Sequence, residues 1–206
     1  VSGPRILADV RAARAATEAD IRATLLAAAA TVLSEDGPSA LTTRRLAEAV
    51  NASTKVIYTH FGGKEGLLDA LYLHAFYSLL QAFDTHAGEL DPLARLRRMT
   101  AAYRSFALAE PALYNVMFGD LGRAVEAPLA SRRKAWQSFE TLRDTVSQCL
   151  ASERRGEALR VTYLIWAAMH GVVSLELRKL IGGSQDSALL FRQSVSAICE
   201  AHGIPY

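Results

Sequence analysis

Apolar residues recur every three or four positions along almost the whole of this sequence, and no run alternates apolar with polar at period two. Spacing near 3.6 stacks side chains on one face of a helix, whereas a half-buried strand needs period two. The pattern therefore restricts the chain to helices and the fold class to all-α. Half of the 206 residues are hydrophobic, which supplies a sizeable core and excludes a disordered chain.

Breakers and caps divide the pattern into elements. Ile21, Leu25, Ala29 and Val32 line a first helix, Asp20–Ser34, which Gly37-Pro38 stops. Thr42 is an N-cap for a short helix, Thr43–Val50. Asn51 follows where a tight turn needs left-handed backbone, which Asn tolerates better than most residues. Ser53 caps a third short helix to His60, ended by Gly62-Gly63. Lys64–Phe83 is longer and apolar on two faces, as a connector packed on both sides would be. Asp91-Pro92 opens a helix to Ala109. A short helix Ala112–Phe118 and a loop Gly119–Pro128 come next. Leu129–Ser152, Glu157–Ile181 and Gln185–His202 complete the set.

Composition and charge exclude several function classes. The formal net charge is only +2, so a nucleic-acid signal must be local. The two cysteines, Cys149 and Cys199, are too few and too far apart for a disulfide or zinc framework and read as reduced core thiols of a cytoplasmic protein. The N-terminus lacks the apolar core of a secretory signal. The uncharged stretches Ala70–Phe83 and Val161–Leu175 are shorter than the roughly 18 residues of a membrane span, so no membrane partner is expected. There is no nucleophile elbow, phosphate-binding glycine loop, paired-histidine helix or Cys-x-x-Cys. Neither enzymatic activity, a cofactor nor a metal is expected. In particular, no second ligand lies at coordinating distance in sequence from His170.

The local signal is at the front. A supporting helix and two short helices turning at Asn51 have the dimensions of a helix-turn-helix unit. On the third helix Ile57 and Phe61 point one way and Thr54, Lys55, Tyr58 and Thr59 the other, a face suited to phosphates and base edges. From Thr42 to Lys64 four basic residues (Arg44, Arg45, Lys55, Lys64) stand against one acid, Glu48. Read singly, Thr42 is equally an N-cap, Tyr58 half-buried packing, His60 an ordinary histidine, and Arg45 with Glu48 a solvated face.

The stretch Leu41–Leu68, LTTRRLAEAVNASTKVIYTHFGGKEGLL, resembles the DNA-binding domain of the tetracycline-repressor (TetR) family. The shared pattern is Thr42, Leu46-Ala47, Ser53, Tyr58, Phe61 and Lys64-Glu65, within a likeness spanning Asp20–Phe76. Asn51 departs from the usual Gly, and Lys55 from a usual small residue, which puts the operator sequence in question. The resemblance implies phosphate contacts from Thr42, Thr43, Arg44, Tyr58, His60 and Lys64. It implies base-edge contacts from Ser53, Thr54, Lys55 and Thr59. The tracts Tyr103–Gly119 and Trp166–Leu177 are similar to the regulatory domain of a branch of this family known for a Trp, a His and a Gly, here Trp166, His170 and Gly171.

The resemblance implies an N-terminal arm (1–19), a helix-turn-helix domain (20–66) and a regulatory, dimerising domain (67–206). The arm, with Arg5, Arg11 and Arg14, reads as a tail or as a minor-groove contact. A small-molecule effector pocket would draw on Tyr103, Phe106, Tyr114, Met117, Phe118, Trp136, Phe139, Trp166, Met169 and His170, although aromatic stripes at helical spacing also build plain cores. The last two helices would form the homodimer interface, with Ala167, Ala168, Gly171 and Ala197 permitting close approach. The expected function is a ligand-responsive regulator released from a double-stranded DNA operator. An all-α carrier of lipophilic molecules is the alternative, and it leaves the basic window unexplained.

Overall fold

The computed structural model describes residues 3–84, 91–119, 127–182 and 186–206. Among them there are helices and no strands. Helix α1 spans Gly3–Asp36, α2 Thr43–Ala49, α3 Thr54–Phe61 and α4 Lys64–Asp84. Then come α5 (Pro92–Ala109), α6 (Pro111–Phe118), α7 (Leu129–Ala135), α8 (Gln137–Cys149), α9 (Ala158–Leu177) and α10 (Ser187–Ala201). Short 3-10 segments at Pro38–Ala40 and Ser152–Glu157 link α1 to α2 and α8 to α9.

Local chemistry sets many of the boundaries. Thr42 accepts the amide of Arg45 at 3.0 Å and starts α2. Asp91 accepts the amides of Leu93 and Ala94, with Pro92 in the first helical position of α5. Asp186 caps α10 in the same way. Asn51 has φ 52°, the left-handed turn expected of it. Ser53 departs from expectation: it occupies the cap position of α3, but its side chain makes no capping bond.

Three element boundaries differ markedly from the sequence expectation. The first helix begins at Gly3 rather than Asp20, because the intervening run of Ala, Leu, Arg and Glu has no breaker beyond Pro4. Ile21 is 37% exposed, while Leu25, Ala29 and Val32 are buried. The expected Leu129–Ser152 helix is interrupted at Trp136, whose ψ of −18° tightens the turn while the hydrogen bonds on both sides persist. Helix α9 stops at Leu177 rather than Ile181. Lys179 adopts φ 56°, and the Leu180 amide bonds back to the Leu175 carbonyl, so the chain turns before Gly182 is reached. The expected Gly119–Pro128 loop lies largely outside the described residues.

Helix α4 is the centre of the packing. Leu67, Leu71, Ala75, Leu79 and Phe83, four residues apart, are buried along its length. It packs on α1, α3, α5, α6, α7 and α8. Around it lie α5, α8 and α9, with Leu96, Met99, Leu142, Val146, Ile165 and Met169 in one continuous core. The stretch Ser152–Leu177 is long and apolar enough for a membrane by composition. In this fold its apolar residues divide between the core (Val161, Ile165, Met169, Val173) and an exposed stripe (Leu164, Leu175). The Arg104–Glu176 pair, only 23% and 16% exposed, fastens α5 to α9. Both cysteines are free, and burial pushes the thiols up to about 11 for Cys149 and about 12 for Cys199.

At the corner between α3 and α4, Gly62 ends α3 in the left-handed region (φ 72°). Gly66 then allows α4 to lie against the end of α3: a Cβ there would fall 1.9 Å from the Phe61 carbonyl oxygen. Gly66→Ala is expected to cost about 1–3 kcal/mol, because the obstructing atom is backbone and cannot swing aside. Gly156→Ala, where a Cβ meets nothing within 4 Å, is the control, with urea denaturation as the measurement. Equal stability of the two variants would contradict the close approach.

Candidate functional site

The helix-turn-helix unit presents one exposed face. Ile57 and Phe61 hold α3 in the core. Ser53, Thr54, Lys55 and Thr59 are exposed on its other side, and Tyr58 is 56% exposed, which removes the reading of Tyr58 as half-buried packing. Thr59 Oγ1 donates to the Lys55 carbonyl. Lys64 is exposed in the first turn of α4, where backbone amides lack intrahelical partners and the helix dipole favours an anion. Thr42 and Arg44 are exposed and Thr43 half-buried. Arg44 pairs with Glu48 at 3.0 Å, but both are largely solvated, so the pair is weak and screened by salt.

His60 stands apart from this group. It is half-buried, and its Nδ1 is out of solvent with no partner among the described residues. Its carbonyl accepts from Arg22 of α1, whose guanidinium also lies 4.6 Å from the centre of the Phe61 ring. Arg22 thus braces the end of α3 against α1. Sequence reasoning missed it, because nothing near position 22 signals a partner 38 residues away.

The aromatic candidates do not all meet. An aromatic cavity of about 230 Å³ lies between α4, α5, α6, α8 and α9. Of the sequence candidates, Tyr103, Met117, Phe118, Trp136, Phe139, Trp166 and Met169 line it. Tyr114 and His170 instead line an adjoining cavity of about 330 Å³, which shares Phe118 with the first. Phe106 lines neither. It faces a groove between α1, α4 and α6, because its position on α5 turns it away from α9. Sequence reasoning missed Tyr72, Phe76, Leu79 and Phe83 of α4, together with Ala135, Ser138 and Leu142. The second apolar face of α4 was the available signal.

The rings contact one another. Trp136 stacks on Phe139 at 4.7 Å, and Phe118 meets Phe76, Trp166 and His170 at 5.7, 5.8 and 5.1 Å. A polar chain closes one wall: Tyr103 Oη lies 3.2 Å from Tyr114 Oη, which lies 2.7 Å from His170 Nδ1. Burial, and after it the Arg178 charge, lowers the His170 pKa, which favours the neutral ring. Burial raises both tyrosines, Tyr103 well above its ordinary value. The arrangement leaving no buried donor unpaired has Tyr103 donating to Tyr114 and Tyr114 donating to Nδ1. The His170 proton then sits on Nε2.

Two family models match the chain. That of the bacterial regulatory proteins of the tetR family covers residues 25–71, and the tetracyclin repressor-like C-terminal domain covers residues 96–198. The chain belongs to the tetracycline-repressor family. It carries the N-terminal helix-turn-helix unit and the C-terminal helical domain of that family of bacterial regulatory proteins. The HTH-type transcriptional regulator BetI of Burkholderia thailandensis is 37% identical over 83 residues, 39% of this chain and 43% of BetI, so less than half of that relative is matched. The nucleoid occlusion factor SlmA of Marinobacter nauticus is 27% identical over 140 residues, 68% of this chain and 71% of SlmA. Among solved structures, the regulatory protein SCO4313 aligns with a TM-score of 0.76 at 24% identity, over 89% of this chain and 97% of its own. PfmR, a TetR-family regulator from Thermus thermophilus, aligns at 0.63 and 20% identity, over 85% of this chain and 97% of its own. These structural likenesses establish the fold.

The two perturbed histidines predict a pH dependence. His74 is lowered by burial, opposed in part by Glu110, and His170 by burial and Arg178. A base with a depressed folded-state pKa binds fewer protons folded than unfolded. Stability is therefore whole above the unfolded value, about 6.5, and declines as pH falls below it. Urea midpoints are expected to drop from about pH 7.5 to about pH 5.5, and less so in a His74→Gln/His170→Gln double variant. An unchanged pH dependence in that variant would assign the loss to other groups.

Proposed function

We propose that the protein is a ligand-responsive repressor whose homodimer binds a palindromic operator and is released by a small lipophilic or aromatic molecule. The observation that carries this is the reach of α4. One end bears Lys64 beside the exposed face of α3, and the other lines the aromatic cavity through Tyr72, Phe76, Leu79 and Phe83. An effector that prefers one tilt of α4 changes the spacing of the two reading heads, which is the differential affinity any such coupling requires. Cytoplasmic action follows from an operator on DNA.

In this reading Thr42, Thr43, Arg44, Tyr58, His60 and Lys64 hold phosphates, and Ser53, Thr54, Lys55 and Thr59 lie nearest the base edges. Residues 20–66 form the reading head and 67–206 the regulatory and dimerising part, while the arm, 1–19, leads into the head, its residues 3–19 being the first half of α1. Dimerisation uses α9 and α10. Leu164, Leu175 and Leu189 are exposed there, beside exposed Ala167, Gly171 and Ala197. Small residues let helices approach closely, and two-fold symmetry sets two reading helices on successive turns of the duplex.

Selection from a random DNA pool by the purified protein is expected to return one palindrome, with binding that weakens steeply as salt rises. Lys64→Ala should weaken all sequences alike and lower the salt slope by about one. Lys134→Ala, on α7 away from this face, should leave the slope unchanged, and an equal loss there would undo the assignment. Lys55→Ala should relax preference at particular operator positions by about 1–3 kcal/mol. A preference that stays unchanged would move Lys55 to the phosphate group. Gly171→Arg should yield monomers by analytical ultracentrifugation, with operator affinity falling in parallel.

A further inference from the structure

Phe118 stands between two cavities of opposite chemistry. Among the described residues, the aromatic cavity has no charged side chain in its lining. Among the described residues, its neighbour is lined by one cation, Arg178, and by no carboxylate. Arg178 forms no ion pair among the described residues. The acid nearest to it in sequence, Glu176, is occupied by Arg104 through two bonds of 2.9 and 2.5 Å. The Ser174 hydroxyl and the Asn115 amide line the same space. The neutral His170 adds a further donor there if Nε2 carries its proton, as the Tyr103–Tyr114–His170 chain requires.

The geometry points to an amphipathic organic acid as the effector, its apolar body among the rings of the aromatic cavity and its anionic group beyond Phe118 against Arg178. This rests on the reading that the aromatic cavity holds the effector. A guanidinium matches a carboxylate through paired N–H donors, and Arg178, exposed and without an ion pair among the described residues, leaves that fork free next to the apolar chamber. The uncharged chamber by itself accepts any apolar body, so the acid preference originates in the second cavity. Phe118 is the last residue of α6, and α6 packs on both α1 and α4. A ligand lying across both cavities displaces that ring, and with it the helix that touches the reading head.

The test is calorimetric titration of the full chain, free of DNA, with ω-phenylhexanoate and with the uncharged ω-phenylhexanol. The acid is expected to bind at least tenfold more tightly. Arg178→Gln should abolish that preference while leaving the alcohol affinity unchanged, which also reports an intact fold, and Arg178→Lys should restore part of it. Equal binding of acid and alcohol to the natural sequence, binding of neither, or an acid preference that survives in Arg178→Gln would overturn the inference. Operator release is measured separately. A protein that binds the acid through Arg178 yet stays on its operator keeps the site and refutes the switch.

Discussion

The structure depends on one helix being apolar around most of its circumference. The buried row Leu67, Leu71, Ala75, Leu79 and Phe83 gives α4 its place in the core, and Tyr72 and Phe76 on the adjoining face wall the cavity. Truncating a buried leucine in such a row costs about 2–5 kcal/mol. That is a large share of the roughly 5–15 kcal/mol by which a domain is stable. No neighbour can substitute for α4, because the helices of the reading head and those around the cavity both pack on it. A chain that must satisfy two layers with one helix cannot relax either layer independently.

The parts legible in the sequence are those where a few adjacent residues decide the outcome. Thr42, Asp91 and Asn51 act on backbone within three positions of themselves, and each does what its chemistry implied. The exposed face of α3 was legible for the same reason: on a helix of eight residues, burying Ile57 and Phe61 leaves Lys55, Tyr58 and Thr59 only one direction to point. Boundaries that depend on the absence of a signal were not legible. Nothing stops α1 between Asp20 and Gly3, and α9 turns at a lysine rather than at the glycines beyond it.

The cavity was half legible. Spacing shows which aromatic residues share a face but carries no information on the volume left between faces. Phe106 and Tyr103 are one turn apart on α5, yet only Tyr103 reaches the space enclosed by α4, α8 and α9. Tyr114 and His170 are set aside from that space by the ring of Phe118 and bond to each other instead. Long-range polar contacts were equally hidden: Arg22 with the end of α3, Arg104 with Glu176, and Arg154 with the carbonyl of His202 each join residues far apart in sequence.

The contact at Gly66 also bears on mechanical leverage. With no side chain between α4 and the Phe61 carbonyl, the corner has little slack, and α3 follows α4 as if welded to it. A rod of 21 residues is about 30 Å long. A tilt of about 6° at its cavity end moves the other end by roughly 3 Å, close to the rise of one base pair. On the proposed switch, a rigid corner acts as a gear: a small shift at the rings reaches the far end of the rod enlarged by the length of α4.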